Sequence, residues 1–96
     1  IPVGYEVQVR PRSGLSLKTD LLIANSPGTI DSDYRGEIMI IMANMGSNHF
    51  TVNHGDRIAQ IVLSPVHQAK IVEVDAISDS ERGNQGFGST GINKKV

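Results

Sequence analysis

The segment at residues 28–38 reads GTIDSDYRGEI, and it leads directly into the apolar run IMIIM at residues 38–42. Two glycines, Gly28 and Gly36, bracket its polar part, which is typical of a backbone that bends tightly or approaches a ligand. The pattern predicts a hairpin that displays Asp31 and Tyr34 at the mouth of a buried strand. The same residues are also compatible with an ordinary turn, in which aspartates bond backbone amides.

Composition limits the classes of protein that fit. Ninety-six residues make at most one domain, and with 4% aromatic residues the core must be mainly aliphatic. A net charge of −1 argues against direct binding to nucleic acid, which usually needs a basic face. No apolar run approaches a membrane span, and no signal peptide opens the chain, so we expect no membrane partner and a cytoplasmic location. Zero cysteines exclude a disulfide scaffold and a thiolate zinc site.

The first residues, IPVGY, contain no methionine and read as the approach to a strand. We therefore expect that the span begins inside a longer protein, with N-terminal residues upstream of Ile1.

Short apolar segments alternate with turn signals along the first three quarters of the chain. Valines and a tyrosine at every second position from 3 to 9 predict a strand with one buried face. Further strands are predicted within 21–24, 38–42, 49–52, 58–63 and 69–74, and only a weak helical turn, starting at Ser16 or Thr19, interrupts them. Strands at this spacing, separated by glycine, proline and asparagine, indicate an all-β sandwich, barrel or jelly roll.

The character of the sequence changes after residue 77. Residues 78–91 hold four glycines and one large apolar residue, Phe87, so they cannot build a core. Alone they read as a flexible linker. A phenylalanine between glycines, with Arg82 upstream and Ser89 and Thr90 downstream, also provides the parts of an anion clamp.

Four motifs in order carry a resemblance to a known family. They read PRSGL at 11–15, NSPGTIDSDYRGE at 25–37, GDRIAQ at 55–60 and RGNQGFGSTG at 82–91. Together they closely resemble the second to fifth motifs of the trimeric dUTPases, over a span from Ile1 to about Gly91. The family's first motif, whose aspartate contacts metal-bound waters, would lie upstream of residue 1.

The resemblance implies a jelly-roll-like β-barrel, the dUTPase fold, which assembles as a homotrimer. Residues 1–77 would form the nucleotide-binding core, and residues 78–96 a flexible C-terminal arm that closes over a neighbouring subunit's active site. The implied activity is Mg²⁺-dependent hydrolysis of dUTP to dUMP and pyrophosphate, which limits uracil in DNA and supplies dUMP for thymidylate synthesis. The Mg²⁺ would bind through the substrate triphosphate, with no direct protein ligand.

Site residues carry over by their motif positions. Asp31, Gln60 and Arg82 match catalytic positions: Asp31 orients and deprotonates the water, Gln60 reaches the α-phosphate region, and Arg82 acts in trans. Tyr34 matches the ring that excludes a 2′-hydroxyl. The remaining substrate-binding positions are Arg12, Ser13, Gly14, Asn25, Gly28, Thr29, Ile30, Phe87, Gly88, Ser89 and Thr90.

Two alternatives and one structural expectation accompany this interpretation. A dCTP deaminase of the same fold is one alternative, although the hairpin and the complete arm argue against it. The other is a nucleotide-binding or interaction module without turnover. Asp56 and Arg57 are expected to form a structural ion pair near the site, and the three histidines to lie apart on the surface.

Overall fold

The fold is built from short antiparallel strands. A computed structural model describes residues 1–93, and within them there are five strands and one helix. In chain order these elements are β1 (Tyr5–Arg10), α1 (Ser13–Lys18), β2 (Leu21–Ile23), β3 (Gly28–Ile30), β4 (Met42–Asn44) and β5 (Gln60–Pro65). This confirms the predicted all-β class. Closure of the strands into a barrel stays a prediction.

Strand β1 is the centre of the larger sheet, whose order is β3-β1-β5. Both neighbours are antiparallel to it, with Val9 opposite Gly28 on one side and Ile61 on the other. Val9 is only 6% exposed, as expected from the period-two alternation that predicts this strand. The second sheet pairs β2 with β4 and buries Ile23.

The short helix α1 begins earlier than predicted. It starts at Ser13, directly after Arg12, whose carbonyl accepts a hydrogen bond from the Ser16 amide at 3.0 Å. Thr19 ends the helix rather than starting it, because its backbone is extended and its hydroxyl donates to the Leu15 carbonyl at 2.7 Å. A threonine that bonds the preceding turn in this way competes with further helical bonding.

The segment at 28–42 differs from the predicted hairpin. Strand β3 pairs with β1, and the chain then runs without a ladder partner from Asp31 until Met42, where β4 returns to β2. The predicted buried strand at 38–42 is wrong for most of its length, since Met39 is 71% exposed. An apolar run forms a buried strand only where a neighbouring strand and a covering layer exist, and the protomer supplies neither here.

Three other predicted strands also change. Residues 49–52 and 69–74 make no strand pairing within the described chain, so those two predictions are wrong. The strand predicted at 58–63 is shifted and runs as β5 from Gln60 to Pro65, because its register is set by β1, with Tyr5 opposite Pro65. Proline is tolerated there because β5 is an edge strand of this sheet.

The protomer is open for its size. It exposes 8981 Å², whereas a compact monomer of 10.3 kDa exposes about 5,400 Å². Its radius of gyration is 19.6 Å, against about 12.5 Å for a compact chain of this length. Much apolar surface therefore lies uncovered on the single chain. No helix within residues 1–93 has the length and apolar character needed to cross a membrane.

Candidate functional site

A cationic cleft lies between α1 and the start of β5. It encloses about 550 Å³ and is lined by Arg12, Ser13, Gly14, Leu15, Lys18, Thr19, Phe50, Arg57 and Gln60. Three of these nine described residues are basic and none is acidic. Hydroxyl, amide and guanidinium donors around one cavity favour an anion with several oxygens, such as a polyphosphate.

Gln60 is fixed at the rim of this cationic cleft. Its side-chain amide donates to the Pro11 carbonyl at 2.8 Å, and its backbone lies opposite Arg10 in the sheet. The residue is exposed rather than buried within an apolar strand. A ligand in the cleft would therefore meet a side chain that already has a defined position.

The expected ion pair between Asp56 and Arg57 does not form within the described chain. Asp56 instead accepts a hydrogen bond from the Asn53 amide at 2.8 Å and donates its own amide to the Asn53 carbonyl at 3.0 Å, which closes a turn. Arg57 is left to line the cationic cleft. Sequence reasoning placed Arg57 near the site only as half of an ion pair and missed Lys18, although both are basic and lie within five residues of predicted site positions.

Asp31 belongs to a different cleft. Together with Ser32 and Asp33 it lines a cavity of about 590 Å³, whose other wall includes Tyr5 and Glu6 of β1. Its position follows from the sheet register, because Ile30 lies opposite Val7 and Asp31 is the next residue after β3. The carboxylate is exposed, so it is accessible to water.

Tyr34 lines a third cavity, an apolar groove of about 390 Å³ whose walls are Thr29, Ile30, Glu37 and residues 38–41. The Tyr34 hydroxyl donates to the Glu37 carbonyl at 2.7 Å. The ring then lies across Gly36, where an added Cβ would be 2.6 Å from the ring's Cζ atom. Glycine is therefore required at position 36 for this placement of the ring.

Asn25 packs against the start of β3. An added Cβ at Gly28 would lie 3.2 Å from the Asn25 side-chain nitrogen and 3.4 Å from the Cβ of Val9. Gly28 is buried, so the close approach of Asn25 to this strand depends on the missing side chain.

The C-terminal segment from residue 78 to 93 forms consecutive turns and no helix or strand. Arg82 donates from Nε to the Gln85 carbonyl at 2.8 Å, and the Gly91 amide donates to the Gly88 carbonyl at 2.8 Å. Phe87 is fully exposed with a positive φ of 47°. Within the described chain, the hydrogen bonds of this segment join it only to itself, so Arg82, Phe87, Gly88, Ser89 and Thr90 are apart from the three clefts. Residues 94–96 of the predicted arm lie outside the described residues.

One protomer does not bring the predicted catalytic residues together. Asp31 lies beside the Glu6 end of β1, whereas Gln60 lies opposite Arg10 at the other end. Four residues of strand separate those two ends by about 13 Å. Two side chains that act on one phosphate group need a much shorter separation.

The sequence profile of one family, dUTPase, matches residues 1–91. The chain belongs to the dUTPase family. It is 58% identical over 92 residues to a deoxyuridine 5′-triphosphate nucleotidohydrolase of Zymomonas mobilis, covering 96% of this chain and 63% of that protein. A relative of the same description from Beijerinckia indica is 57% identical, with 95% of this chain and 57% of that protein covered. The chain thus spans less than two thirds of either relative.

Solved structures agree with this membership. The dUTPase of Staphylococcus bacteriophage 80alpha, as a G164S mutant with dUpNHpp, superposes with a TM-score of 0.83 at 31% identity. The superposition covers 96% of this chain and 70% of the phage chain. The same phage protein without that mutation, also with dUpNHpp, gives a TM-score of 0.80. The family resemblance predicted from the four motifs is therefore confirmed.

Proposed function

We propose that the protein hydrolyses dUTP to dUMP and pyrophosphate, and so limits uracil in DNA and supplies dUMP for thymidylate synthesis. The observation that carries this proposal is that the chain presents two complementary parts of a hydrolytic site at opposite ends of β1. A cationic cleft suited to a polyphosphate lies at one end of β1, and an accessible carboxylate lies at the other. Membership of the dUTPase family and the names of its relatives support the choice of dUTP.

Asp31 acts as the general base in this proposal. Its carboxylate accepts a proton from water, whose oxygen bonds to the α-phosphorus while the bond from that phosphorus to the bridging oxygen breaks. The electron pair leaves with pyrophosphate. The exposed position of Asp31 at the end of a strand suits a base that must hold a water molecule.

The triphosphate lies along the cationic cleft. Arg12, Ser13 and Gly14 bind phosphate oxygens, and Gln60 reaches the α-phosphate. Arg82, supplied by another subunit, stabilises the charge that develops on those oxygens, and Ser89, Thr90 and Gly88 hold the β- and γ-phosphates.

The nucleoside is selected by shape. Tyr34 lies under the deoxyribose and leaves no room for a 2′-hydroxyl, which discriminates against UTP. Backbone groups of Gly28, Thr29 and Ile30, together with Asn25, read the uracil edge, and Phe87 stacks on the base. The apolar groove beside Tyr34 and the packing of Asn25 on Gly28 support these assignments.

A homotrimer with shared active sites reconciles these roles with the geometry. Asp31 and Gln60 of one protomer are separated by about 13 Å along β1, but residues of neighbouring protomers can meet. The large uncovered surface of the protomer supports association. Core residues 1–77 of two subunits and the arm of a third, residues 78–96, complete each site.

The donor set fits Mg²⁺ that arrives with the substrate. Mg²⁺ commonly binds through phosphates and waters, so the cationic and hydroxyl groups of the cleft would hold the phosphate oxygens that the ion leaves available. When bound, the ion neutralises triphosphate charge. We place the reaction in the cytoplasm, without a nucleic-acid or membrane partner.

Product analysis tests the proposal. The full-length protein with Mg²⁺ is incubated separately with dUTP, UTP, dCTP and dTTP. Conversion of dUTP alone to dUMP and pyrophosphate supports the proposal. Ammonia release from dCTP would favour the deaminase, and binding of dUTP without pyrophosphate release would favour a module without turnover.

A further inference from the structure

Arg35 bridges the turn that separates Asp31 from Tyr34. Its Nη1 atom donates to the Ser32 carbonyl at 2.9 Å and to the Tyr34 carbonyl at 3.0 Å. The Tyr34 amide closes the same turn on the Asp31 carbonyl at 3.1 Å. One guanidinium nitrogen of Arg35 therefore links the Ser32 carbonyl, inside the turn, to the Tyr34 carbonyl at its end.

The loop depends on such local bonds because no strand ladder supports it. Between the end of β3 at Ile30 and the start of β4 at Met42, the described chain makes no strand pairing. The Tyr34 hydroxyl bond to Glu37 fixes the far side of the ring. Arg35 supplies the side-chain bonds on the near side, and bonds from an ionised donor are stronger than neutral ones.

We propose that Arg35 is a positioning residue that fixes the Tyr34 ring relative to Asp31 and thereby sharpens discrimination against the 2′-hydroxyl. This inference rests on the proposed function for its substrate. Arg35 donates to main-chain carbonyls and so acts through the turn, not by contact with the nucleotide.

Two measurements on the full-length protein test the inference. The first is the ratio of kcat/KM for dUTP to that for UTP, in wild type, Arg35→Ala, Arg35→Lys and the charge control Lys70→Ala. Both nucleotides carry the same triphosphate, so a lost attraction to phosphate lowers both rates and cancels in the ratio. We expect Arg35→Ala to lower the ratio about tenfold, as the loss of hydrogen bonds from a charged donor implies. Arg35→Lys restores part of it, and Lys70→Ala leaves it unchanged.

The second measurement does not need turnover. Fluorine-19 relaxation of 3-fluorotyrosine at position 34 reports ring motion in the same variants. Faster ring motion in Arg35→Ala, reduced in Arg35→Lys, supports the inference. Unchanged motion, or an unchanged nucleotide ratio alongside faster motion, overturns it. If the wild-type protein hydrolyses no dUTP, the proposed function is wrong. The fluorine-19 relaxation of the ring would still decide whether Arg35 positions Tyr34.

Arg35 is exposed, so its truncation removes no core contact. Thermal unfolding of each variant checks this directly. An Arg35→Ala protein that does not fold would leave Arg35→Lys as the deciding variant, with a smaller fall in the nucleotide ratio expected and an unchanged ratio and ring motion counting against the inference.

Discussion

Asp31 and Gln60 lie at opposite ends of strand β1, with the register of both neighbouring strands fixing their separation. The distance along the strand is about 13 Å. The larger sheet is thus a spacer between a carboxylate and an anion-binding cleft within one protomer. Within a single chain, the two groups are therefore too far apart to act on one phosphate.

Mixing two inactive variants tests this arrangement. Asp31→Asn and Gln60→Ala subunits, unfolded together and refolded, should regain activity, because random mixing rebuilds about a quarter of the sites in a shared-site oligomer. Each variant refolded alone is the control. Mixed oligomers that are recovered by a tag on one variant yet remain inactive would count against shared sites.

Replacement of Asp31 by asparagine should lower the turnover rate by orders of magnitude and leave nucleotide binding in place. The amide keeps the size of the carboxylate but cannot accept the water proton. Rates of pyrophosphate release and calorimetric binding of dUTP measure the two effects. Asp33→Asn lies in the same cleft and is the matched control, with a much smaller loss expected. Near-normal turnover by Asp31→Asn would falsify its assignment as the base.

Gly36→Ala should displace the Tyr34 ring, since the new methyl group would lie 2.6 Å from the ring's Cζ atom. We expect lower dUTP turnover and weaker discrimination against UTP. Gly46→Ala is the control, because its methyl group would crowd the Asp20 side chain instead. Comparison of the dUTP to UTP rate ratio in the two variants makes the test. An equal ratio in both would show that Gly36 has no special role.

Truncation before Arg82 should leave a folded oligomer with little activity. The hydrogen bonds of residues 78–93 stay within that segment in the described chain, so their removal breaks no hydrogen bond to the strands. Thermal unfolding and mass in solution should match wild type, while the rate of dUTP hydrolysis falls. Phe87→Ala in the full-length protein separates base stacking from phosphate contacts, with a raised KM expected. An unaffected rate after truncation would remove the clamp from the mechanism.

Local pattern was sufficient to predict some parts of the fold. The alternation from Val3 to Val9 predicts strand β1, but of the predicted buried face only Val9 is buried, whereas Tyr5 is 42% and Val3 93% exposed. The run at 38–42 consists entirely of apolar residues, yet Met39 within it is 71% exposed. Burial of an apolar run depends on what covers it, and that information is not contained in the run itself.

The candidate site shows the same division. Motif order was sufficient to identify the family. The cleft that joins Lys18 to Arg57 depends on the pairing of Arg10 with Gln60, a contact between residues fifty positions apart. Hydrophobic periodicity and secondary-structure propensity depend on residues that are close in sequence, so they do not predict a pairing between distant strands. The expected Asp56–Arg57 ion pair is absent from the described chain for a local reason, because the Asn53 amide donates to the Asp56 carboxylate instead.

The uncovered surface of the protomer has a consequence for its life in solution. In the proposed trimer, apolar side chains at the subunit contacts leave water only when subunits meet, so folding and assembly are coupled by mass action. Dilution would then act as a denaturant, and the melting temperature would rise with protein concentration. A cell that makes little of this protein would therefore hold a larger unfolded fraction of it.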